Sequence, residues 1–202
     1  MWTPPQQSYR SQILTWSFLS RGLIPCCFKT SGRNPINYRY FGSTIFRDIY
    51  QNIQSLMDST NCMDLLLDGP LGVGKSHILA TIAYLLTAQG YRVIYLPDCR
   101  DLLRDSVRYL RHAMLLAWAD DWDKTKQILQ MKTQNHIEKF LASHEGDSSV
   151  FFVLGRFDAL NEEKCGHRMN KTKFAEFLNA CRCSFRSVHE GVGEVGAAVD
   201  GL

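Results

Sequence analysis

Gly69-Pro70-Leu71-Gly72-Val73-Gly74-Lys75-Ser76 stands between an apolar run, Met63-Asp64-Leu65-Leu66-Leu67-Asp68, and a stretch from 75 to 89 in which Ile78, Ile82, Leu85 and Leu86 recur at helical spacing. The run before it has the apolar centre of a parallel strand covered on both faces. Gly90 closes the helical stretch where a left-handed stop belongs. Tyr91-Arg92-Val93-Ile94-Tyr95-Leu96 then reads as a second strand. Strand, glycine-rich loop, helix, strand is the order of an α/β protein built on a parallel sheet.

The loop itself fits the pattern G-x-x-x-x-G-K-[ST]. Its glycines, Gly69, Gly72 and Gly74, admit backbone conformations closed to other residues, so successive NH groups can turn inward around phosphate oxygens. Lys75 would reach the β/γ-phosphates and the Ser76 hydroxyl would ligate Mg²⁺. A helix N-terminus at this point adds free NH groups and a favourable dipole for an anion. Gly69, Pro70, Leu71, Gly72, Val73, Gly74, Lys75, Ser76 and His77 are therefore the expected nucleotide-binding residues. A chance glycine-rich turn would not bring the lysine, the hydroxyl and both flanks with it. For the base, Asn170-Lys171-Thr172 nearly reproduces the guanine-reading Asn-Lys-x-Asp, but Lys173 stands where the carboxylate is needed. ATP with Mg²⁺ is the expected ligand by elimination.

With 202 residues, 45% of them hydrophobic, the chain is long enough for one domain with a sizeable core. Its net charge of +3 is unevenly spread: no acidic residue precedes Asp48, whereas Arg10, Arg21, Lys29, Arg33, Arg39 and Arg47 do. Residues 1–37 read as a basic, flexible arm. Pro4, Pro5 and Pro25 argue against the single amphipathic helix of a transit peptide, and a secretory signal fits worse. No run approaches the ~18 apolar residues of a membrane span. The seven cysteines are odd in number and irregularly spaced, which points to a reducing, intracellular compartment. Cys165-x-His167 with Cys181-x-Cys183 is spaced too tightly for a zinc knuckle.

Residues 38–57 read as a helix whose Ile45, Ile49, Ile53 and Met57 pack on the sheet. After the second strand, Asp98 or Asp101 can cap a helix over 101–119 that buries Leu102, Leu103, Val107, Leu110 and Met114. Its Arg100, Arg104, Arg108 and Arg111 form either a nucleic-acid contact or a solvated face, the latter favoured by local pairing with Asp101 and Asp105. A second helix is expected over 124–144, making a helical insertion before a third strand at 148–154.

That third strand lies where a phosphate-loop enzyme needs an aspartate beside the metal. Gly155 occupies the position, and the first acid is Asp158, with Glu162 and Glu163 after it. Asp158 either reaches the metal by a looped approach, leaves a site that binds nucleotide and hydrolyses it poorly, or is a turn or cap aspartate. Lys75, Asp158 and Glu162 are the expected catalytic residues, with Ser76 and Asp158 on the metal.

Leu65-Leu66-Leu67-Asp68 with the loop through His77, then Arg92-Val93-Ile94-Tyr95-Leu96-Pro97-Asp98-Cys99-Arg100 and Phe157-Asp158-Ala159-Leu160-Asn161, resembles the NTPase domain of Crinkler-type and retrotransposon-hot-spot-type proteins. The resemblance covers roughly residues 38–180. It implies a STAND/AAA-like P-loop ATPase, a three-layer sandwich with a parallel sheet, related to effectors that act in host nuclei. Gly155-Arg156 replaces the family's Asp-Gln, and only three strands are visible where such a core uses five. The expectation is thus an incomplete P-loop domain over 38–183 and a disordered tail over 184–202. It would bind ATP and hydrolyse it weakly at most; a nucleoside or small-molecule kinase using Asp98 or Arg100, or a non-catalytic remnant, are the alternatives. Expected partners are the nucleotide and a protein or second copy, with nucleic acid a lesser candidate and no membrane.

Overall fold

The computed structural model describes residues 44–57, 63–67, 74–143, 150–161, 169–181 and 186–190. The chain divides into two units, Met1–Asn61 and Cys62–Leu202. The first unit contains α1, Thr44–Met57. Its buried side chains are Phe46, Tyr50 and Ile53, at i, i+4 and i+7, with the two rings stacked at 6.1 Å between centroids. Ile49 is half-buried, so the buried stripe joins the two rings to Ile53 of the isoleucine series, while the burial of Ile45 and Met57 lies outside what is described. The boundary at 61/62 places α1 in the N-terminal unit, whereas the sequence assigned it to the sheet domain.

The second unit is built on four parallel strands: β1 Met63–Leu67, β2 Arg92–Leu96, β3 Val150–Leu154 and β4 Arg186–Glu190. They lie in the order β1-β4-β3-β2. β4 corrects two expectations. It lies within the stretch read as a tail, and it fills the middle of a sheet read as three strands. Its sequence, Arg186-Ser187-Val188-His189-Glu190, has a single aliphatic residue, unlike the continuous apolar run expected of a covered parallel strand.

α2, Lys75–Ala88, crosses from β1 to the far edge at β2, after which the chain walks back through β3 to β4. Right-handed crossovers then put the helix after β1 on one face and those after β2 and β3 on the other. Burial agrees with this. Ile94, Leu96, Phe152 and Leu154 join one core with Leu102, Leu110, Met114, Trp118, Ile137, Phe174 and Phe177. Val93, Tyr95, Phe151 and Val153 alternate with them and are buried too, while α2, buried at Leu79, Ile82 and Leu86, packs on β2, β3 and β4. The sheet is thus covered by helices on both faces.

α2 ends as the sequence indicated. Gly90 has φ +89°, its NH donates to Thr87 O at 3.0 Å, and the Tyr91 NH donates to Leu86 O at 3.0 Å, the paired bonds of a Schellman stop. The insertion differs from the expected pair of helices. α3, Arg100–Ala117, is kinked at Asp105, whose carboxylate accepts from the Arg108 NH at 3.0 Å and so caps the second half. Residues 124–144 do not form one helix: α4, Trp122–Gln130, stops before α5, Gln134–Ala142, which Thr133 caps through the His136 NH. α6, Lys171–Ala180, capped by Asn170, leads to β4. Its Phe174 and Phe177 meet Phe152 edge-on at 6.3 and 6.4 Å.

Candidate functional site

Because all four strands run parallel, their C-terminal ends share one edge of the sheet. β1 feeds α2 on one face and β3 feeds α6 on the other, the arrangement that opens a crevice at the carboxyl edge of such sheets. The described candidates follow two of these strands: Gly74, Lys75, Ser76 and His77 come after β1 and Asp158 after β3.

At its β1 end, seven residues separate Leu67 from the first residue of α2, Lys75. Gly74 precedes that helix in the left-handed conformation, φ +86° and ψ 18°, with open space where a Cβ would stand. Its carbonyl accepts from the His77 and Ile78 NH groups at 2.9 and 3.0 Å, so the helix starts at once. Lys75, Ser76 and His77 occupy the first turn and are half-buried. Residues 69–73, the rest of the expected nucleotide-binding set, lie outside the described residues, as do Glu162 and Glu163.

The β3 end carries the second motif. Gly155 continues the ladder, its NH donating to Leu96 O at 2.8 Å and its carbonyl accepting from the Cys99 NH at 3.0 Å. A Cβ on residue 155 would fall on the Pro97 carbonyl group, 2.9 Å from its carbon. Glycine there is required by close backbone approach, so the position expected to hold a metal-binding aspartate is closed to any side chain. The ladder skips Asp98: its NH donates instead to the Tyr109 hydroxyl at 3.1 Å, as at a bulge. Burial pushes the Tyr109 hydroxyl well above its ordinary value.

Skipping Asp98 in this way turns its carboxylate toward two arginines. Arg100 donates through its NH at 3.1 Å and through Nε and an Nη at 2.9 and 2.5 Å. An Nη of Arg156 lies 3.9 Å away. Burial alone would push the Asp98 carboxyl up, but these hydrogen bonds and both positive charges outweigh it and hold the group below its ordinary value. Arg156 has φ +55°, the one non-glycine left-handed residue among those described. The sequence alone assigns Arg156 no partner. Its pairing with Asp98 depends on the register that sets Leu96 beside Leu154, which local sequence does not display.

Asp158 sits in the first turn of the 3₁₀ helix Phe157–Asn161, which packs against β4 and α3. Its carboxylate is 3.6 Å from the Lys171 ammonium, itself 5.1 Å from the Phe157 ring centre. Lys75 and Ser76 thus follow β1 and Asp158 follows β3 at the same edge of the sheet, the two strands standing two spacings, about 10 Å, apart with β4 between them. Among the described residues no three His, Cys, Asp or Glu side chains converge on a metal position. Mg²⁺ held through phosphates needs only one or two protein oxygens, which Ser76 and Asp158 are of the right kind to supply.

Three of the four arginines of α3 have side-chain partners within the unit: Arg100 with Asp98, Arg104 with Asp101 at 3.2 Å, and Arg111 with the Met131 carbonyl at 2.9 Å. Asp105 acts as a cap rather than as an ion-pair partner. Cys181 is buried after α6, while Cys165, His167 and Cys183 lie outside the described residues. No helix among the described residues is long and apolar enough to cross a membrane. No family model matches the chain, and no curated protein matches it.

Proposed function

We propose that the second unit is a P-loop nucleotide-binding domain that takes ATP with Mg²⁺ at the carboxyl edge of the sheet. The observation that carries this reading is the junction of β1 and α2: a complete G-x-x-x-x-G-K-[ST] sequence, ending in a left-handed Gly74 with Lys75 and Ser76 in the first helical turn. In this reading residues 69–74 wrap the phosphates with backbone NH groups, Lys75 neutralises the β/γ-phosphates, and the Ser76 hydroxyl contacts the metal. Helices on both faces of a parallel sheet, with the second motif two strands from the loop, support the three-layer P-loop architecture and the resemblance to Crinkler-type and hot-spot-type NTPases.

Gly155 favours binding over turnover. With the end of β3 closed to a carboxylate, the metal's second protein ligand falls to Asp158, already paired with Lys171. The domain therefore acts as a nucleotide-binding module with slow hydrolysis at most. Ligand-induced stabilisation tests this: MgATP at about 100 times its Kd adds roughly 2.7 kcal/mol to the folded state, a rise in Tm of about 5–10 °C for a domain of this size. Lys75→Ala is expected to abolish the shift. An equal shift in both proteins would remove the proposed site.

A further inference from the structure

α4 leaves two large apolar side chains in water: Trp122 is 70% exposed and Leu129 55%. At i and i+7 they share one side of the helix, with Lys126 between them at i+4 and its ammonium 5.2 Å from the centre of the Trp122 ring. That side is not needed to hold α4 in place. The helix is fixed through Ile128, which joins the core, and through the Thr125 hydroxyl, which donates to the Trp118 carbonyl at 2.9 Å. A lone exposed apolar residue is ordinary, whereas an apolar stripe rimmed by charge marks a contact surface.

The charges beside the stripe identify its occupant. Asp123 stands in the first turn and Lys126 follows three residues later, 4.0 Å apart and 88% and 55% exposed. An ion pair so open to water contributes little, and both groups are placed to pair again across an interface. A two-fold axis perpendicular to α4 between residues 125 and 126 sets Trp122 against the partner's Leu129, and Leu129 against the partner's Trp122. It also brings Asp123 within one turn of the partner's Lys126. The two Lys126 meet near the axis, each between its own Asp123 and the partner's Asp123. Such a patch completes itself, as an isologous contact requires. Parallel helices would instead set each Asp123 on its own copy, like charge against like.

We infer that the Trp122 and Leu129 side of α4 is a self-association surface, taken by α4 of a second copy of this chain running antiparallel. The surface shares no residue with the nucleotide loop and does not depend on the nucleotide reading. Two helices of nine residues cover less than the ~1,200 Å² of a standard interface, so the dimer is weak and forms only as concentration rises.

Sedimentation equilibrium of the full chain over a rising concentration series tests this. The wild type is expected to pass from monomer to dimer. Trp122→Gln and Leu129→Gln, both at exposed positions, should each lower the association constant about tenfold or more. Asp123→Lys makes the flank wholly basic and Lys126→Asp makes it wholly acidic, so each variant alone should stay monomeric. Mixed one to one, the two should form a heterodimer at least as tight as the wild-type dimer, a rescue that misfolding of either cannot imitate. A wild type that stays monomeric throughout, association unmoved by Trp122→Gln and Leu129→Gln, or no rescue on mixing would overturn the inference.

Discussion

Gly74 and Gly155 stand at two ends of the same sheet edge and are glycine for opposite reasons. At Gly74 the backbone is left-handed and the space beside it is open; at Gly155 the backbone takes no such conformation and the space is filled by the Pro97 carbonyl group. One position forbids a side chain through its dihedrals, the other through its neighbour. The first belongs to a local motif and can be read from eight residues. The second depends on how two strands 50 residues and more apart in the chain lie against each other, and no local pattern announces it.

Substitution separates the two causes. The largest effect is expected at Gly155→Asp, which restores the acid that the second motif lacks but drives a Cβ into backbone. It should cost about 3 kcal/mol or more in chemical denaturation and gain no phosphate release. A stable variant that hydrolyses ATP faster would mean the strand end can open. Gly74→Ala meets only conformational strain, about 1 kcal/mol, yet should weaken MgATP by displacing the first turn. Binding at wild-type affinity would detach Gly74 from the site. The smallest effect is electrostatic. Asp98 has its carboxyl held below the ordinary value, so the stability it adds is present above that ordinary value and is lost as pH falls through the depressed one. Asp98→Asn should flatten that acid limb of the stability curve, measured by denaturation between pH 5 and pH 2; a curve parallel to wild type would show the arginine pairing to be without consequence.

The same contrast separates what the sequence displayed from what it hid. β1, α2, β2 and β3 were legible because their hydrophobic runs and the Gly90 stop are local signals. β4 was not, since Arg186-Ser187-Val188-His189-Glu190 offers a single aliphatic residue to mark a strand bonded on both sides. The break between α4 and α5 has no such signal, because Met131-Lys132-Thr133 holds neither glycine nor proline and α5 starts on a threonine cap. In the site, Lys75 and Ser76 could be named from the motif alone. The Asp98 cluster and the role of Gly155 required the strand register. Asp158 was named on chain position, and its pairing with Lys171 joins segments that sequence proximity does not relate.

Calorimetric titration of the full chain with MgATP, repeated on Lys75→Ala, tests nucleotide binding most directly. The expected result is saturable one-to-one binding by the wild type, weakened at least tenfold in the variant, the loss of a charge-assisted contact to phosphate. Equal affinity in the two proteins, or no binding by a folded wild type, would contradict it.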